Sequence, residues 1–257
     1  MKISSFNTNG IRARLSIVCE WLEKEKPVVL CLQETKAQDS EFPTEPFEER
    51  GYFLTFRGDK GYNGVALVSK TPLRDIVFGF GDGDKTEEVR MVTATVVNTI
   101  IVNTYVPQGS APDSKKFRYK LDWLYRLYDY FSRNFKPSMP VLWVGDFNVA
   151  PEPRDVYDPQ GLLGSIGFHP DEHRALSKIK SWGFVDVFRR HEPQDGLYTF
   201  WDYRVPQAVR RGFGWRIDHI WATSCVAETS VRASIDRAPR LSEKPSDHTF
   251  VWAEFDR

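Results

Sequence analysis

The sequence predicts an α/β fold in which two packed β-sheets are covered on their outer faces by helices. About a dozen runs rich in Val, Ile, Thr and aromatic residues are typical of strands, and Gly, Pro, Asn or Asp bound them. Only three long stretches have helical periodicity, too few for a barrel of eight strand–helix units. Because short turns join many neighbouring strands, we expect mixed or antiparallel sheets in a single domain that spans residues 1–257.

The predicted strands are spread along the whole chain. If they form two stacked sheets, many of their ends meet at one edge, where loops on a rigid frame commonly build a site. The strands are expected at 2–7, 28–34, 52–56, 64–69, 89–97, 99–106, 141–148, 184–190, 197–203, 216–222, 227–235 and 248–255.

Three segments have apolar residues at helical spacing. The second of them has Ser114 as a plausible N-cap, and the third begins at Pro170 and is expected to stop at Gly183. The predicted helices cover residues 11–25, 114–135 and 170–182.

Composition narrows the class of protein but does not reveal its partners. The chain has 257 residues, of which 41% are hydrophobic, so a disordered chain is excluded. With 35 basic and 35 acidic residues, net charge neither indicates a nucleic-acid partner nor excludes a local basic cleft. Three distant cysteines form no metal motif, and neither a signal peptide nor a long apolar run is present. We therefore expect a cytoplasmic, monomeric protein with no membrane contact.

Polar residues follow several predicted strands where a turn would need only one. Each alone has an ordinary explanation as a turn, a cap or a solvated charge. Asp146 is the hardest to explain in this way, because it follows a run of apolar residues and a buried carboxylate needs a cation or several donors. The joint occurrence predicts one polar site at an edge of the sheets. The residues concerned are Asn7, Asn9, Gln33, Glu34, Thr35, Lys36, Asn103, Tyr105, Gln108, Asp146, Asn148, Asp218, His219, Ser246, Asp247 and His248.

Carboxylate and amide oxygens without cysteine are the donors that a hard cation prefers. Mg²⁺ takes oxygen ligands and keeps several waters, and it commonly serves phosphate chemistry. The sequence therefore predicts a Mg²⁺ site, at which Mn²⁺ could substitute, with Glu34 as the first ligand and Asn7 beside it.

The segment VLWVGDFN (141–148) suggests how a water could be handled at such a site. Alternation along an extended strand would aim Asp146 and Asn148 to one face, with Phe147 turned into the core. Asp146 could then activate a water that Asn148 holds. His248 could donate to a phosphate oxygen if protonated, a form that a neighbouring carboxylate such as Asp218 would favour.

Six motifs, taken together and in this order, resemble the exonuclease III family of apurinic/apyrimidinic (AP) endonucleases. The resemblance covers nearly the whole chain, although two of the motifs also occur in the wider superfamily of DNase I, sphingomyelinases and inositol-polyphosphate phosphatases. It implies a four-layer α/β sandwich that hydrolyses the phosphodiester 5′ to an abasic site in double-stranded DNA. Activity on 3′ ends, as a 3′→5′ exonuclease or on blocked termini, is also implied. The motifs are FNTNGIRAR (6–14), LQETK (32–36), NTYVPQG (103–109), GDFNVAP (145–151), GWRIDH (214–219) and KPSDH (244–248).

The resemblance also implies a role for each catalytic residue. Asp146 would activate the attacking water, and Asn148 would orient it. Asp218 would pair with His248, which would contact the scissile phosphate, and Tyr105 would lie on the phosphate or the leaving group.

The metal set is implied in the same way, and whether one metal or two act stays open. Glu34 would bind the metal, with Asn7 close by and Asp247 in support. A second ion would involve Asp146, Asn148 and His248.

DNA contacts are expected from an apolar pocket and from basic or polar loops. Phe200, Trp215 and Ile217 would surround a flipped-out sugar, in a space too small for an intact nucleotide. Basic residues in the site-forming loops would make a local rim for phosphates despite the neutral total. The expected contacts outside the pocket are Arg12, Lys36, Lys60, Asn63, Gln108, Arg204 and Arg216, and Arg210 and Arg211 belong to the same basic rim.

Two positions depart from the family pattern, and two other functions stay open. His219 stands where many members have Tyr, which could perturb its neighbour Asp218, and Val89 stands where Gly is common. The alternatives are a small-molecule phosphodiesterase or phosphatase of the same superfamily and a non-catalytic DNA-binding protein.

Overall fold

The strands form two mixed sheets in the computed structural model, which describes residues 1–59, 61–83 and 88–256. The first sheet has the order β11-β12-β1-β2-β4-β3 and the second β5-β6-β7-β8-β10-β9. The first comprises β1 (Lys2–Asn7), β2 (Val29–Gln33), β3 (Phe53–Arg57), β4 (Val65–Ser69), β11 (Ser230–Asp236) and β12 (Phe250–Phe255). The second comprises β5 (Leu73–Phe78), β6 (Met91–Val96), β7 (Thr99–Tyr105), β8 (Val141–Asp146), β9 (Phe184–Asp186) and β10 (Asp218–Thr223).

One parallel pair lies at the centre of each sheet. β1 runs parallel to β2, and β7 runs parallel to β8, while the other pairs are antiparallel. The inner faces of the two sheets share one apolar core, to which Ile3, Cys31, Leu142 and Ile220 belong. The carboxyl ends of all four central strands lie at the same edge, because Asn7 at the end of β1 hydrogen-bonds Asp146 at the end of β8.

Helices cover the outer faces of both sheets and complete four layers. α1 (Ile11–Glu25) packs Val18 and Leu22 against the first sheet. α3 (Lys115–Asn134) and α4 (Pro170–Ser181) pack against the second, and Trp143 lies in the apolar cluster between these helices and the sheet. The remaining helices are short: α2 (Glu45–Glu48), α5 (Val187–His191), α6 (Ala208–Arg211) and α7 (Ser224–Ala227), with 3₁₀ turns at Asp39–Glu41, Pro153–Asp155 and Ala238–Leu241.

The predicted architecture and the three long helices are confirmed. Ser114 caps α3, since its side chain accepts a hydrogen bond from the Phe117 amide at 3.0 Å. Gly183 follows α4 with φ 145°, and a Cβ there would meet Pro137 at 2.8 Å, so no other residue fits without a shift. No helix in the described ranges is long and apolar enough to cross a membrane.

Four strand predictions were wrong or incomplete. The strand expected at 184–190 ends at Asp186, whose side chain accepts from the Arg189 amide and so starts α5. Residues 197–203 form a loop that touches other segments through isolated bridges of Phe200. β11 starts at Ser230, because α7 ends at Ala227, the first residue of the predicted strand, and a turn follows it. β5 was not predicted, since this edge strand is mostly exposed and lacks an apolar alternation.

Candidate active site

A cleft of about 810 Å³ opens at the edge where the central strands end. Most of the predicted site residues lie in its wall, although they come from segments far apart in the chain. Asn7 and Asp218 are fully buried and contact the wall from behind. The predicted residues that line the cleft are Asn9, Glu34, Lys36, Tyr105, Gln108, Asp146, Asn148, Phe200, Arg204, Trp215, Ile217, Asp247 and His248.

Asp146 is held at the end of β8 by a tight turn. Its Oδ1 accepts from the Asn148 amide at 2.8 Å, and its Oδ2 accepts from the Asn148 side-chain amide at 3.2 Å. Asn148 has φ 51°, so the two side chains converge through a left-handed turn and not through the strand alternation that we expected. Phe147 is turned into the core as predicted, and its ring stacks on Trp143 at 3.7 Å.

Gly145 lets the two parallel strands of the second sheet approach each other just before this turn. It has φ 136°, and a Cβ on it would lie 2.1 Å from the Thr104 carbonyl oxygen. A side chain at this position would therefore push β8 away from β7 and displace Asp146.

His248 and Asp218 form a buried hydrogen-bonded pair beside Asp146. Nδ1 of His248 lies 2.8 Å from Oδ2 of Asp218, and Nε2 lies 3.9 Å from Oδ2 of Asp146. Burial opposes protonation of the imidazole, but the carboxylates of Asp218 and Asp146 outweigh it and raise the pKa of His248 to about 10. The pair therefore presents a charged Nε2–H to the cleft at neutral pH.

For Asp146, in contrast to His248, burial affects the pKa more than the neighbouring opposite charge does. Burial raises its pKa to about 7, because the positive charge of His248 only partly offsets the cost of desolvation and the negative charge of Asp218 adds to it. The amide groups of Asn7 and Asn148 favour its ionised form. A carboxylate that titrates near neutral pH suits a group that exchanges a proton with water.

Glu34 lies on the other side of Asn7. The Asn7 side-chain amide donates to Oε2 of Glu34 at 3.0 Å and to Oδ2 of Asp146 at 2.9 Å, so it joins the two carboxylates. Oε1 of Glu34 pairs with the Lys36 ammonium at 2.9 Å. Glu34, Lys36 and Asn9 all have φ between 46° and 50°, a conformation that is uncommon for residues other than glycine and that clusters at functional sites.

Within the described part of the chain, one group of side chains offers three ligand atoms close together. Atoms of Asp146, Asp218 and His248 lie within 4.8 Å of one another, and Oδ1 of Asp218 is buried without a hydrogen-bond partner. Oxygen donors of this kind fit a hard cation. Glu34 and Asp247 are not in this group, since Glu34 pairs with Lys36 and Asn7, and Asp247 accepts from the Asn9 side chain at 2.9 Å. The carboxylate oxygens from Asp146 to Glu34 can therefore hold a metal ion, whereas His248 in its charged form offers no lone pair to one.

Tyr105 lies at the end of β7 and faces the same cleft. Burial raises the pKa of its phenol well above the usual range, and the charges of Glu34 and Asp146 raise it further. The hydroxyl therefore stays neutral and can donate a hydrogen bond.

Two of the polar residues at strand ends, Gln33 and Asn103, have a structural role instead. The Asn103 side-chain amide donates to the carbonyl oxygens of Leu32 and Ala66, each at 3.0 Å, and its oxygen accepts from Gln33 at 2.7 Å. Both side chains are fully buried and tie the second sheet to the first. Their polarity is thus explained without any contact to a ligand.

An apolar recess lies next to His248. The backbones of Phe200 and Trp215 are paired by hydrogen bonds of 2.9 Å in both directions, and Ile217 completes the same apolar cluster. The Phe200 ring lies 4.9 Å from the His248 ring. A Cβ on Gly167 would lie 3.4 Å from the Trp215 ring, so this glycine keeps the recess open on that side. The three predicted pocket residues are brought together as expected.

The expected DNA-contact residues divide into three groups. Lys36, Gln108 and Arg204 line the cleft. Arg12 and Asn63 do not line it: Arg12 is paired with Glu41 at 3.4 Å, and the Asn63 carbonyl oxygen accepts from the Lys36 amide at 3.0 Å. Lys60 lies outside the described residues.

The expectation for Arg216 was wrong. Its side chain is fully buried, donates to Asp155 at 2.7 and 3.1 Å and to Asp186 at 2.8 Å, and cannot reach DNA. Side chains alternate along an extended chain, and Trp215 and Ile217 face the cleft. The sequence could therefore have indicated that Arg216, between them, faces inward.

His219 belongs to this buried network and not to the Asp218 pair. Its Nδ1 accepts from Arg216 at 2.9 Å, and its Nε2 donates to the Val149 carbonyl at 3.0 Å. Burial and the Arg216 charge lower its pKa to about 3, so the ring is neutral. His219 therefore supports the segment that follows Asn148. Both of its ring nitrogens bond Arg216 or Val149, so they do not act on Asp218 as we expected.

Lys120 holds the backbone of two site residues in place and was not predicted from the sequence. It is fully buried, pairs with Glu172 at 2.5 Å and donates to the carbonyl oxygens of Asn148 and Gln108 at 2.8 and 3.1 Å. Glu172 in turn accepts from the amides of Gly167 and His169. A lysine inside the apolar stripe of α3 was the available signal.

Comparison with known proteins agrees with this geometry. A structure of an AP endonuclease from Archaeoglobus fulgidus is 46% identical, with a TM-score of 0.96 and full coverage of both chains (100% and 100%). A structure of a 3′ phosphatase from Neisseria, bound to a product DNA hairpin, is 33% identical with a TM-score of 0.95 and the same full coverage (100% of each chain).

Sequence comparison gives the same result. Exodeoxyribonuclease III of Haemophilus influenzae is 34% identical over 99% of this chain and 100% of its own. These relatives support a DNA repair nuclease that depends on a metal ion. The Endonuclease/Exonuclease/phosphatase family model matches residues 4–248. The chain therefore belongs to the Endonuclease/Exonuclease/phosphatase family.

Proposed function

We propose that this protein hydrolyses the phosphodiester 5′ to abasic sites in double-stranded DNA, acting as a monomer of one domain. The observation that carries the proposal is the position of the apolar recess directly beside the His248–Asp218 pair. A phosphate held by His248 would place the adjoining sugar at Phe200 and Trp215, where a sugar without a base fits an apolar wall.

The catalytic residues act in an order that follows from their positions. Asp146 accepts a proton from the attacking water, and Asn148 orients that water from the adjacent turn. The charged Nε2–H of His248 donates to a non-bridging phosphate oxygen and stabilises the charge that develops there. As the bond from phosphorus to the 3′ oxygen breaks, the neutral hydroxyl of Tyr105 donates to the leaving oxygen.

Mg²⁺ is the proposed cofactor, and Mn²⁺ should substitute for it. When bound, the ion would neutralise negative charge on the phosphate oxygens. Glu34 would be its first protein ligand, with Asn7 and Asp247 beside it. If a second ion binds, Asp146 and Asn148 would hold it together with His248, which would first have to lose the proton on Nε2.

The same centre would also act on 3′ ends, as a 3′→5′ exonuclease and on blocked termini. The likeness to the Neisseria 3′ phosphatase favours this second activity. A terminal phosphate places its phosphorus at the same position relative to Asp146 and His248, so no further catalytic group is needed.

Incision of a duplex that contains one abasic site is the primary test. We expect cleavage on the 5′ side of the site in Mg²⁺ and none with a chelator, while an undamaged duplex of the same sequence stays intact over the same time. Asp146→Asn and His248→Asn should each lower kcat by several powers of ten and still bind the duplex.

Trp215→Ala separates a DNA substrate from a small phosphoester. The variant should lose incision of abasic DNA but keep its fold, as judged by circular dichroism. An intact abasic duplex under all conditions, together with turnover of an inositol phosphate that does not depend on Trp215, would instead establish a small-molecule phosphodiesterase.

A further inference from the structure

A second cavity, of about 620 Å³, lies beside the catalytic cleft and has no part in the mechanism above. Asp202, Tyr203 and Val205 line both spaces, so only this short segment separates them. Three arginines line the second cavity: Arg210, Arg237 and Arg240.

These arginines have no carboxylate partner among the residues that the structure describes. The acidic residue of the cavity wall is Asp202, and Arg204 already occupies both of its oxygens, at 3.0 Å (Oδ1) and 2.7 Å (Oδ2). Three like charges around one space repel one another unless an anion lies between them. Solvent screens part of this repulsion, because Arg210 and Arg237 are exposed, and an anion in the cavity would relieve the rest.

Arg240 is held in position for such an anion. Its Nη2 donates to the Trp201 carbonyl at 3.1 Å, and its guanidinium lies over the Tyr203 ring at 5.1 Å. Its Nε is buried and has no hydrogen-bond partner. Burial lowers its pKa, which means that the charge is held at some cost. Arg237 lies over the Trp201 ring at 5.6 Å.

The wall between the two spaces is tied to the catalytic site. The Tyr203 hydroxyl donates to the Pro245 carbonyl and accepts from Arg14 at 3.2 Å. Arg14 also donates to the Asn9 carbonyl at 3.0 Å, next to the strand that ends at Asn7. These contacts therefore anchor the segment between the cavity and the cleft to residues beside the catalytic site.

We propose that Arg210, Arg237 and Arg240 bind one backbone phosphate of the DNA strand outside the catalytic cleft. This rests on the proposed action on DNA, because a polymer with regularly spaced phosphates is what two rigidly spaced phosphate sites would hold. A bidentate guanidinium suits a phosphate, and the aromatic supports limit the entropy lost on binding. The contact positions the duplex and carries no information about base sequence.

The test uses Asp146→Asn protein, so that binding is measured without cleavage, and an abasic duplex in which single phosphates are replaced by neutral methylphosphonates. Each substitution is placed at a different distance from the abasic site. At one position the parent should lose about tenfold in affinity, the effect expected for one charged hydrogen-bonded contact. In the Asp146→Asn parent, Arg237→Ala or Arg210→Ala should remove the effect of the methylphosphonate at this position. Its effect at every other position should stay unchanged. Each variant should also reduce the salt slope of binding by about 0.9.

Arg74→Ala is the matched control. Arg74 is an exposed residue of β5. Its neighbours across the sheet in β6 and β7 lie at the start of β7, and this end of the sheet is opposite to the cleft. It should leave the methylphosphonate profile unchanged. If the variants at Arg210 and Arg237 keep the same profile as the parent, the proposal is wrong.

A free anion is the other source of the same chemistry. Inorganic phosphate that raises the Tm of the parent but not of the Arg237→Ala variant, without any methylphosphonate effect, would identify a free-anion site and overturn the assignment to DNA. Incision of the same duplex by the unmodified protein is measured in parallel. If the unmodified protein incises the duplex and no coupling appears, this inference alone fails, whereas an intact duplex contradicts the proposed function.

Discussion

Replacement of Arg216 by Met separates a DNA contact from a structural ion pair. The motif in which Arg216 lies predicted a contact to phosphate, but its guanidinium is enclosed by Asp155, Asp186 and His219. Met keeps much of the side-chain volume and removes the charge. We therefore expect loss of stability and an unchanged affinity for DNA.

The size of the loss follows from the partners left behind. Asp155 would keep Arg189 and the Glu152 amide, and Asp186 would keep its cap on α5, while both carboxylates stay buried. Removal of one member of a buried ion pair costs about 3–5 kcal/mol, and we expect the free energy of unfolding to fall by that amount.

The pH dependence gives a second measure of the same effect. Although burial acts to raise the pKa of Asp155, Arg216 and Arg189 lower it to about 2. The ionised form thus contributes stability that is present above the ordinary pKa near 4 and is lost as pH falls through the folded value. The lowered pKa corresponds to roughly 2–3 kcal/mol, and the variant should lose much of this acid dependence.

Urea unfolding at pH 7 and at pH 3, with fluorescence anisotropy on an abasic duplex, would measure both quantities. Arg204→Met is the control: its side chain is 84% exposed at the cleft, so it should weaken DNA binding and leave stability within about 0.5 kcal/mol. Unchanged stability together with weaker DNA binding in Arg216→Met would refute the reasoning.

Three further changes test the catalytic centre. Asp218→Asn removes a charge that raises the pKa of His248, so protonation of the imidazole is lost at a lower pH. The kcat/KM should fall by about tenfold or more at pH 8 but much less at pH 6, and a loss equal at both pH values would show that the charge is unimportant. Lys120→Met leaves Glu172 unpaired and releases the Asn148 carbonyl, which should cost about 3–5 kcal/mol in urea unfolding and lower kcat more than it changes KM. A variant with normal kcat would exclude a positioning role for Lys120. Glu34→Ala should raise the Mg²⁺ concentration needed for half-maximal incision, and an unchanged metal titration would contradict its role as ligand.

The sequence by itself determined the elements with strong local periodicity. Helices α1, α3 and α4 and most strands were predicted within a few residues, because alternation and 3.6-residue spacing are properties of neighbouring residues. The candidate site was also predictable, since Glu34 and Asp146 follow strands with a parallel neighbour, and His248 precedes a strand antiparallel to β1, which places all three at one edge.

Tertiary structure decided the features that depend on partners far along the chain. Residues 197–203 have the composition of a strand, but no strand lies beside them, and they become the loop that carries Phe200 to His248. Arg216 turns inward to Asp155, which is 61 residues away, and Lys120 meets Glu172 between two helices. A charged side chain is exposed or buried according to whether folding supplies its counter-charge, and local sequence does not contain that information.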